Sequence, residues 1–138
     1  MKIKNSVECW VYAPDGKVLL LHVPQRGDSM DFWQPITGGI EVGEDAITSV
    51  AREVREETGR DFPAMAFEQV ASDVAVHISD ELTVVKTLYM ANFPDWDVTT
   101  NPAEHDSHHF FAPESVVHQL RYDSNFTTWQ LVQQHQRR

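Results

Sequence analysis

Between Glu41 and Glu57 the chain places six of its 21 acidic residues. Glu53, Glu56 and Glu57 sit in a segment of helical period, where Ala46, Ile47, Val50, Ala51 and Val54 recur at offsets of one, three and four. At about 100° per residue the three acids fall within an arc of roughly 100°, beside the apolar stripe rather than opposite it. The plainest account is a solvated charged face, with Arg52 and Glu56 as an i,i+4 pair worth about 0.3–0.5 kcal/mol. Two features favour another. Glu56 and Glu57 occupy the last turn before Gly59, where the helix dipole disfavours anions by about 0.3–1 kcal/mol each, and neighbouring carboxylates repel one another. A divalent cation offsets both penalties. Carboxylates gather Mg²⁺, and a metal so held can bridge to phosphate oxygens.

The elements that must position these acids follow from pattern and punctuation. A helix is expected from Glu44 to Thr58, stopped by Gly59. Before it, Ser6 to Tyr12 and Lys17 to Val23 read as strands joined by a Pro14-Asp15-Gly16 turn, and Val18-Leu19-Leu20-Leu21 is apolar enough for a sheet centre. Pro24 to Asp31 reads as a loop, and Phe32 to Pro35 leads into Thr37-Gly38-Gly39. After the helix, Phe67 to Val76 and Leu82 to Phe93 have strand composition. A polar loop, Asp95 to Ser107, precedes a short strand at His108 to Phe111. Helices are expected from Pro113 through Leu120, and after a cap at Ser124 or Asn125. Strands flanking a central helix, with more helices at the end, imply a mixed sheet covered on its faces.

Composition narrows the function classes. The 138 residues suit one domain, 1–138, and 41% hydrophobic with 23% charged residues is ordinary globular composition. No stretch reaches the roughly 18–20 apolar residues of a membrane span, and the amino terminus lacks a signal-peptide pattern, so a cytoplasmic protein is expected. The one cysteine, Cys9, excludes an internal disulfide and a Cys-rich zinc site. A formal net charge of −10, with scattered basic residues, argues against stable nucleic-acid binding. A polyanionic partner would need positive charge from elsewhere, and Mg²⁺ is the obvious source.

The segment from Gly38 to Arg60, GGIEVGEDAITSVAREVREETGR, resembles the signature box of the Nudix hydrolases. That box runs Gly, five residues, Glu, seven residues, Arg-Glu, an apolar residue, any residue, Glu-Glu, any residue, Gly and an apolar residue. Gly38, Glu44, Arg52-Glu53, Val54, Glu56-Glu57 and Gly59 meet it, and only Arg60 departs, with Phe62 as the candidate to supply the missing packing. The resemblance implies the Nudix fold, an α/β/α sandwich around a mixed β-sheet, and Mg²⁺ or Mn²⁺ held by the helix acids. Glu53, Glu56 and Glu57 match the metal ligands, with Glu53 or Glu57 able to hold the attacking water. Arg52 would orient a neighbouring carboxylate, Glu44 would fix the box loop, and the backbone carbonyl of Thr37 would complete the metal shell. Glu104, in the loop after the box, is the best-placed acid for a further ligand or general base.

The resemblance implies a pyrophosphohydrolase that splits the diphosphate linkage of a nucleoside or pterin triphosphate, or of a nucleoside diphosphate linked to another moiety, by water attack at phosphorus. The run Asp31 to Gly38, with Glu104-His105 and Ser124-Asn125, looks most like small bacterial members acting on nucleoside or pterin triphosphates. Dinucleoside polyphosphates and oxidised deoxynucleotides remain alternatives, as does a Nudix-fold module that binds nucleotides without cleaving them. The partner expected is a small nucleotide or pterin phosphate, with a homodimer left open. Arg26 is a candidate phosphate contact and Trp33 a candidate ring-stacking platform, weighed against a core position; Trp10 and Phe32 read as core. His105, His108 and His109 read as loop and strand residues rather than a zinc site.

Overall fold

The apolar run Val18–Leu21 is buried on both faces, and it lies in β2 (Val18–Val23), deep in a sheet that organises the whole chain. The computed structural model describes residues 2–137. The other strands are β1 (Lys2–Tyr12), β3 (Phe32–Gln34), β4 (Ile36–Gly39), β5 (Phe67–Ser79), β6 (Leu82–Asn92) and β7 (Ser107–Phe111). The helices are α1 (Ala46–Thr58), α2 (Pro113–Val116) and α3 (Asp123–Gln136), with a 3₁₀ turn at Ala64–Ala66. The sheet runs β3-β2-β1-β6-β5, while β4 pairs β1 and β7 pairs β2. It is mixed, because β1 and β6 are parallel and the other pairings antiparallel.

Alternation along β1 builds two cores. Val7, Cys9 and Val11 point to one face, where Leu19, Leu21, Ile36 and the α1 residues Val50 and Val54 close over them. Trp10 and Tyr12 point to the other, against Leu20, Leu88, Met90 and the α3 residues Trp129 and Val132. The result is the α/β/α sandwich expected. Burying the α1 stripe against β1 and β4 is what turns the acids beside that stripe toward the sheet edge.

Element boundaries differ from the sequence reading where side chains choose other partners. α1 starts at Ala46 because Asp45 is its cap, accepting from the Thr48 amide at 2.9 Å. Glu44 therefore stands outside the helix. Expected from Ser6, β1 begins at Lys2, because its first residues pair with β6 from Leu82 onward. Helix α2 stops at Val116 instead of Leu120. Neither Ser124 nor Asn125 caps α3, which starts at Asp123; Asn125 is buried and its side chain is used in the core. Within β5 the pairing slips between Gln69 and Val74, with Asp73 at φ 55°, a bulge that redirects the outer half of the strand.

Candidate functional site

Arg52 gathers the charged positions of the helix around one guanidinium. Its Nε and Nη2 donate to the two oxygens of Glu44 at 2.8 and 3.0 Å, a fork that ties the loop before α1 to the helix. That contact holds the Glu44 carboxyl down at about 2. Nη2 also donates to the Gly39 carbonyl at 3.0 Å, and Nη1 to Glu53 Oε1 at 2.9 Å and Glu56 Oε2 at 3.2 Å. One residue thus aligns Glu44, Glu53 and Glu56.

The three helix acids are not equivalent. Glu53 is 7% and Glu57 1% exposed, whereas the Glu56 side chain is open to solvent. Burial pushes the Glu53 carboxyl above the usual range, against the pull of Arg52. Its space is made by Gly38: a Cβ there would collide with the Glu53 carboxyl group. Glycine at the head of the segment is needed for that approach, and Gly59 for a different reason. At φ 74° it forms the left-handed end of α1, its amide bonded to the Arg55 carbonyl at 2.9 Å.

Glu57 faces the loop that follows β6. His105 Nδ1 lies 2.6 Å from Glu57 Oε2, and one ligand atom each from Glu57, Glu104 and His105 fall within 4.8 Å of one another. The close His105 approach is poorly aligned for a hydrogen bond, so both Glu57 oxygens are buried without a properly directed donor. Burial raises the Glu57 carboxyl, but His105 and Glu104 outweigh it and leave it below the usual range. Glu104 moves the other way, up to about 7, because Glu57 stands beside it. Gln34 Nε2 lies 2.9 Å from His105 Nε2, which places the ring proton of neutral His105 on Nδ1, toward Glu57.

These donors suit a divalent cation. A buried carboxylate with two unsatisfied oxygens and a second carboxylate beside it are the ligand types of Mg²⁺ or Mn²⁺, and a metal removes the repulsion between Glu57 and Glu104, while His105, with its proton on Nδ1, stands beside them rather than among the ligands. Of the residues expected from sequence, Glu57 and Glu104 lie at this centre, Glu53 is near enough for its charge to act on both, and Glu56 is held toward solvent by Arg52. Thr37 lies on β4 beside Gly38, its hydroxyl donating to the Val7 carbonyl at 3.2 Å. Arg26 is brought alongside, Nη2 donating to the Glu104 carbonyl at 3.2 Å, in an open cleft of about 330 Å³ with Phe32, Gln34 and His105.

Trp33 is not brought there. Neighbouring residues of β3 face opposite ways, and Trp33 packs on His22 and Phe111, with ring centroids 4.8 and 5.1 Å away, against the α3-side core. Phe32, read as core, is half-buried and borders the cleft with Arg26. His105 is the reverse case: read as an ordinary loop residue, it is 5% exposed and touches Glu57. Its adjacency to Glu104 was the available signal. His108 and His109 do not join it; His108 bonds Thr100 at 2.8 Å and His109 packs on Phe111.

Arg60 is taken up by contacts just beyond the end of α1. It pairs with Asp95, and its guanidinium lies over the rings of Phe62 and Phe93, which pack together at 4.7 Å. Phe62 supplies packing near the unusual position.

The fold, the carboxylate helix and the facing acidic loop define a Nudix-type protein. The NUDIX domain family model matches residues 2–134, and the chain belongs to that family. It is 46% identical over 59 residues to the dihydroneopterin triphosphate diphosphatase of Escherichia coli (strain K12), a match covering 43% of this chain and 38% of that protein's length. It is 30% identical over 103 residues to the CTP pyrophosphohydrolase of the same organism, covering 75% of this chain and 72% of the relative. Among solved structures, the MutT protein from Methanosarcina mazei Go1 superposes with a TM-score of 0.75 at 20% identity, covering 98% of this chain and 94% of that one. The E. coli dihydroneopterin triphosphate pyrophosphohydrolase gives 0.73 at 24% identity over 94% and 96% of the two chains. Those likenesses show the fold. No helix among the described residues is long and apolar enough to cross a membrane.

Proposed function

We propose that this protein is a Mg²⁺- or Mn²⁺-dependent pyrophosphohydrolase acting in the cytoplasm, as one domain, on nucleoside or pterin triphosphates. The observation that carries the reading is Glu57, whose buried oxygens lack aligned donors while facing Glu104 and His105. Glu53, Glu57 and Glu104 would hold the metal, with Glu56 on its outer side and the Thr37 carbonyl as a backbone ligand. When bound, the metal neutralises charge on the non-bridging phosphate oxygens and acidifies the attacking water. Arg52 keeps Glu53 and Glu56 aligned, and Arg26 meets the phosphate chain beyond the acids. Glu104, where it does not ligate the metal, accepts the proton of the water. The new bond joins water oxygen to phosphorus, the bridging P–O bond breaks, and the products are a monophosphate and pyrophosphate.

Support for this substrate class comes from the two E. coli relatives, whose names refer to dihydroneopterin triphosphate and CTP. Dinucleoside polyphosphates fit the same chemistry but have no relative among these. The test is a phosphate-release screen over nucleoside, deoxynucleoside and pterin triphosphates and dinucleoside polyphosphates, with Mg²⁺ and added pyrophosphatase. Turnover abolished by Glu57→Gln supports the hydrolase. Tight binding without turnover of any compound means a nucleotide-binding module instead.

A further inference from the structure

Near the end of β2, His22 stands between two carboxylates that belong to different loops. Its Nε2 lies 2.9 Å from Asp31 Oδ2 and its Nδ1 2.6 Å from Asp106 Oδ1. Asp31 ends the segment between β2 and β3, and Asp106 ends the segment between β6 and β7. β2 can reach both because it pairs with β3 and with β7, so that His22 has Trp33 as its register partner on one side and Ser107 on the other. An ionised carboxylate only accepts hydrogen bonds, and each contact therefore requires an N–H from the ring. A neutral imidazole has one N–H and the imidazolium has two. The geometry is that of a charged ring clasped by two acids. Asp31 foremost, and Asp106 with it, hold the His22 ring above its usual ionisation range, and the ring holds Asp106 below its own.

The other charged groups nearby have partners or positions of their own. Arg26 donates to the Glu104 carbonyl and Arg121 to the Met30 carbonyl, while Asp28 is exposed in the turn closed by Arg26 and Ser29. His105 turns to Gln34 and Glu57, and His109, two residues beyond Ser107 on β7, packs on Phe111. The Trp33 ring, its centroid 4.8 Å away, lies against the imidazole, whose side chain is 17% exposed. Both clasped segments serve the acidic centre. The first carries Arg26, whose Nη2 meets the Glu104 carbonyl at 3.2 Å beside the open cleft. The second carries Glu104, two residues before Asp106.

We propose that His22 is a positioning residue for hydrolysis: by holding Asp31 with one ring nitrogen and Asp106 with the other, it fixes the Arg26 loop and the Glu104 loop against each other across the cleft. It acts through the two aspartates and meets neither phosphate nor metal itself. The inference rests on the hydrolase reading for what the two loops do, and on the clasp geometry alone for what holds them. A ring that binds its proton more tightly folded than unfolded gives its full stabilisation below the ordinary value of 6.5 and loses it as pH climbs through the raised one. Above that, one nitrogen turns a lone pair toward a carboxylate and one arm of the clasp opens.

The first test uses the full chain in EDTA. Nitrogen-detected NMR of the wild type should show both His22 ring nitrogens protonated at about pH 6, with a midpoint above 6.5, and the backbone amides of residues 26–31 should shift with that same midpoint. The second loop also senses Glu104, so the first is decisive. In His22→Gln, amide exchange at about pH 6 should be about fivefold faster in both loops and unchanged in α1. A singly protonated His22 at that pH, loop amides that ignore its titration, or exchange that quickens throughout the chain overturns the clasp. The second test is kinetic, with Mg²⁺ and the triphosphate turned over fastest in the phosphate-release screen. Asp31→Asn frees the Arg26 loop and should raise KM about three- to tenfold with kcat kept; Asp106→Asn frees the Glu104 loop and should lower kcat by a similar factor with KM kept. The same change in both constants for both variants overturns the positioning role. If no triphosphate is hydrolysed while ring and loop amides titrate together, the hydrolase reading fails and the clasp stands; hydrolysis with neither co-titration nor the kinetic split does the reverse.

Discussion

Glu104→Gln should make the metal-free protein more stable, and only above a defined pH. Glu104 ordinarily ionises near 4.5 and is pushed to about 7 by Glu57 beside it. A carboxyl raised in the folded state binds more protons folded than unfolded between those values, so stability falls as pH climbs from about 4.5 to 7 and stays reduced above. At 1.36 kcal/mol per pH unit the interval is worth about 3.4 kcal/mol. Glu104 is exposed to solvent, and screening lowers that to about 1–2 kcal/mol. Glutamine keeps the shape of the protonated acid, so the variant should match wild type at pH 5 and melt about 4–8 °C higher at pH 8. Thermal and urea unfolding in EDTA across pH 5–8 measures this, and saturating Mg²⁺ should remove the variant's advantage. A destabilised variant at pH 8, or a difference independent of pH, would refute the proposed Glu57–Glu104 repulsion.

Arg52→Ala strips the partner from Glu44, Glu53 and Glu56 together, and should cost about 3–5 kcal/mol in urea unfolding with loss of nearly all hydrolysis. In Gly38→Ala the new methyl displaces the Glu53 carboxyl; kcat should fall at least about 100-fold, with stability lower by about 1–3 kcal/mol, checked by steady-state kinetics and thermal melts. Trp33→Ala should lower stability by about 2–4 kcal/mol without changing the ranking of substrates, because its ring packs away from the acids; a changed ranking in the phosphate-release screen would restore it as a substrate contact.

The helix and its acids were legible because periodicity and a spaced polar motif reinforced one another over 23 residues. Local patterns say nothing about which face of a three-residue edge strand meets a distant loop. For that reason the sequence leaves Trp33 open between a stacking platform and a core position and reads Phe32 as core, although their alternation is plain. His105 was hidden for a related reason. Its meaning comes from Glu57, 48 positions earlier by subtraction of the two numbers, which only the folded loop brings to 2.6 Å. Glu8 and Lys86, paired at 2.6 Å, leave a clearer trace in the sequence: charges set among apolar residues of two strands, each tolerable there only with a partner.

The one departure from the family box also bears on how the loop acid reaches the helix acid. Arg60 follows the left-handed Gly59 and is held by Asp95 and the Asp97 carbonyl, while the Thr99 amide donates to the Thr58 carbonyl at 2.9 Å. These contacts fasten the beginning of the polar loop to the end of α1, one turn from Glu57. Farther along, the Asn101 carbonyl accepts from the Glu104 and His105 amides at 3.2 and 3.0 Å, which curls the loop back toward the helix. An apolar residue at position 60 would pack on Phe62 and Phe93 but could not grip Asp95. The cation does both, since its guanidinium covers the two rings while its donors meet the carboxylate. The substitution therefore fastens the start of the segment that carries Glu104 and His105 to the end of α1.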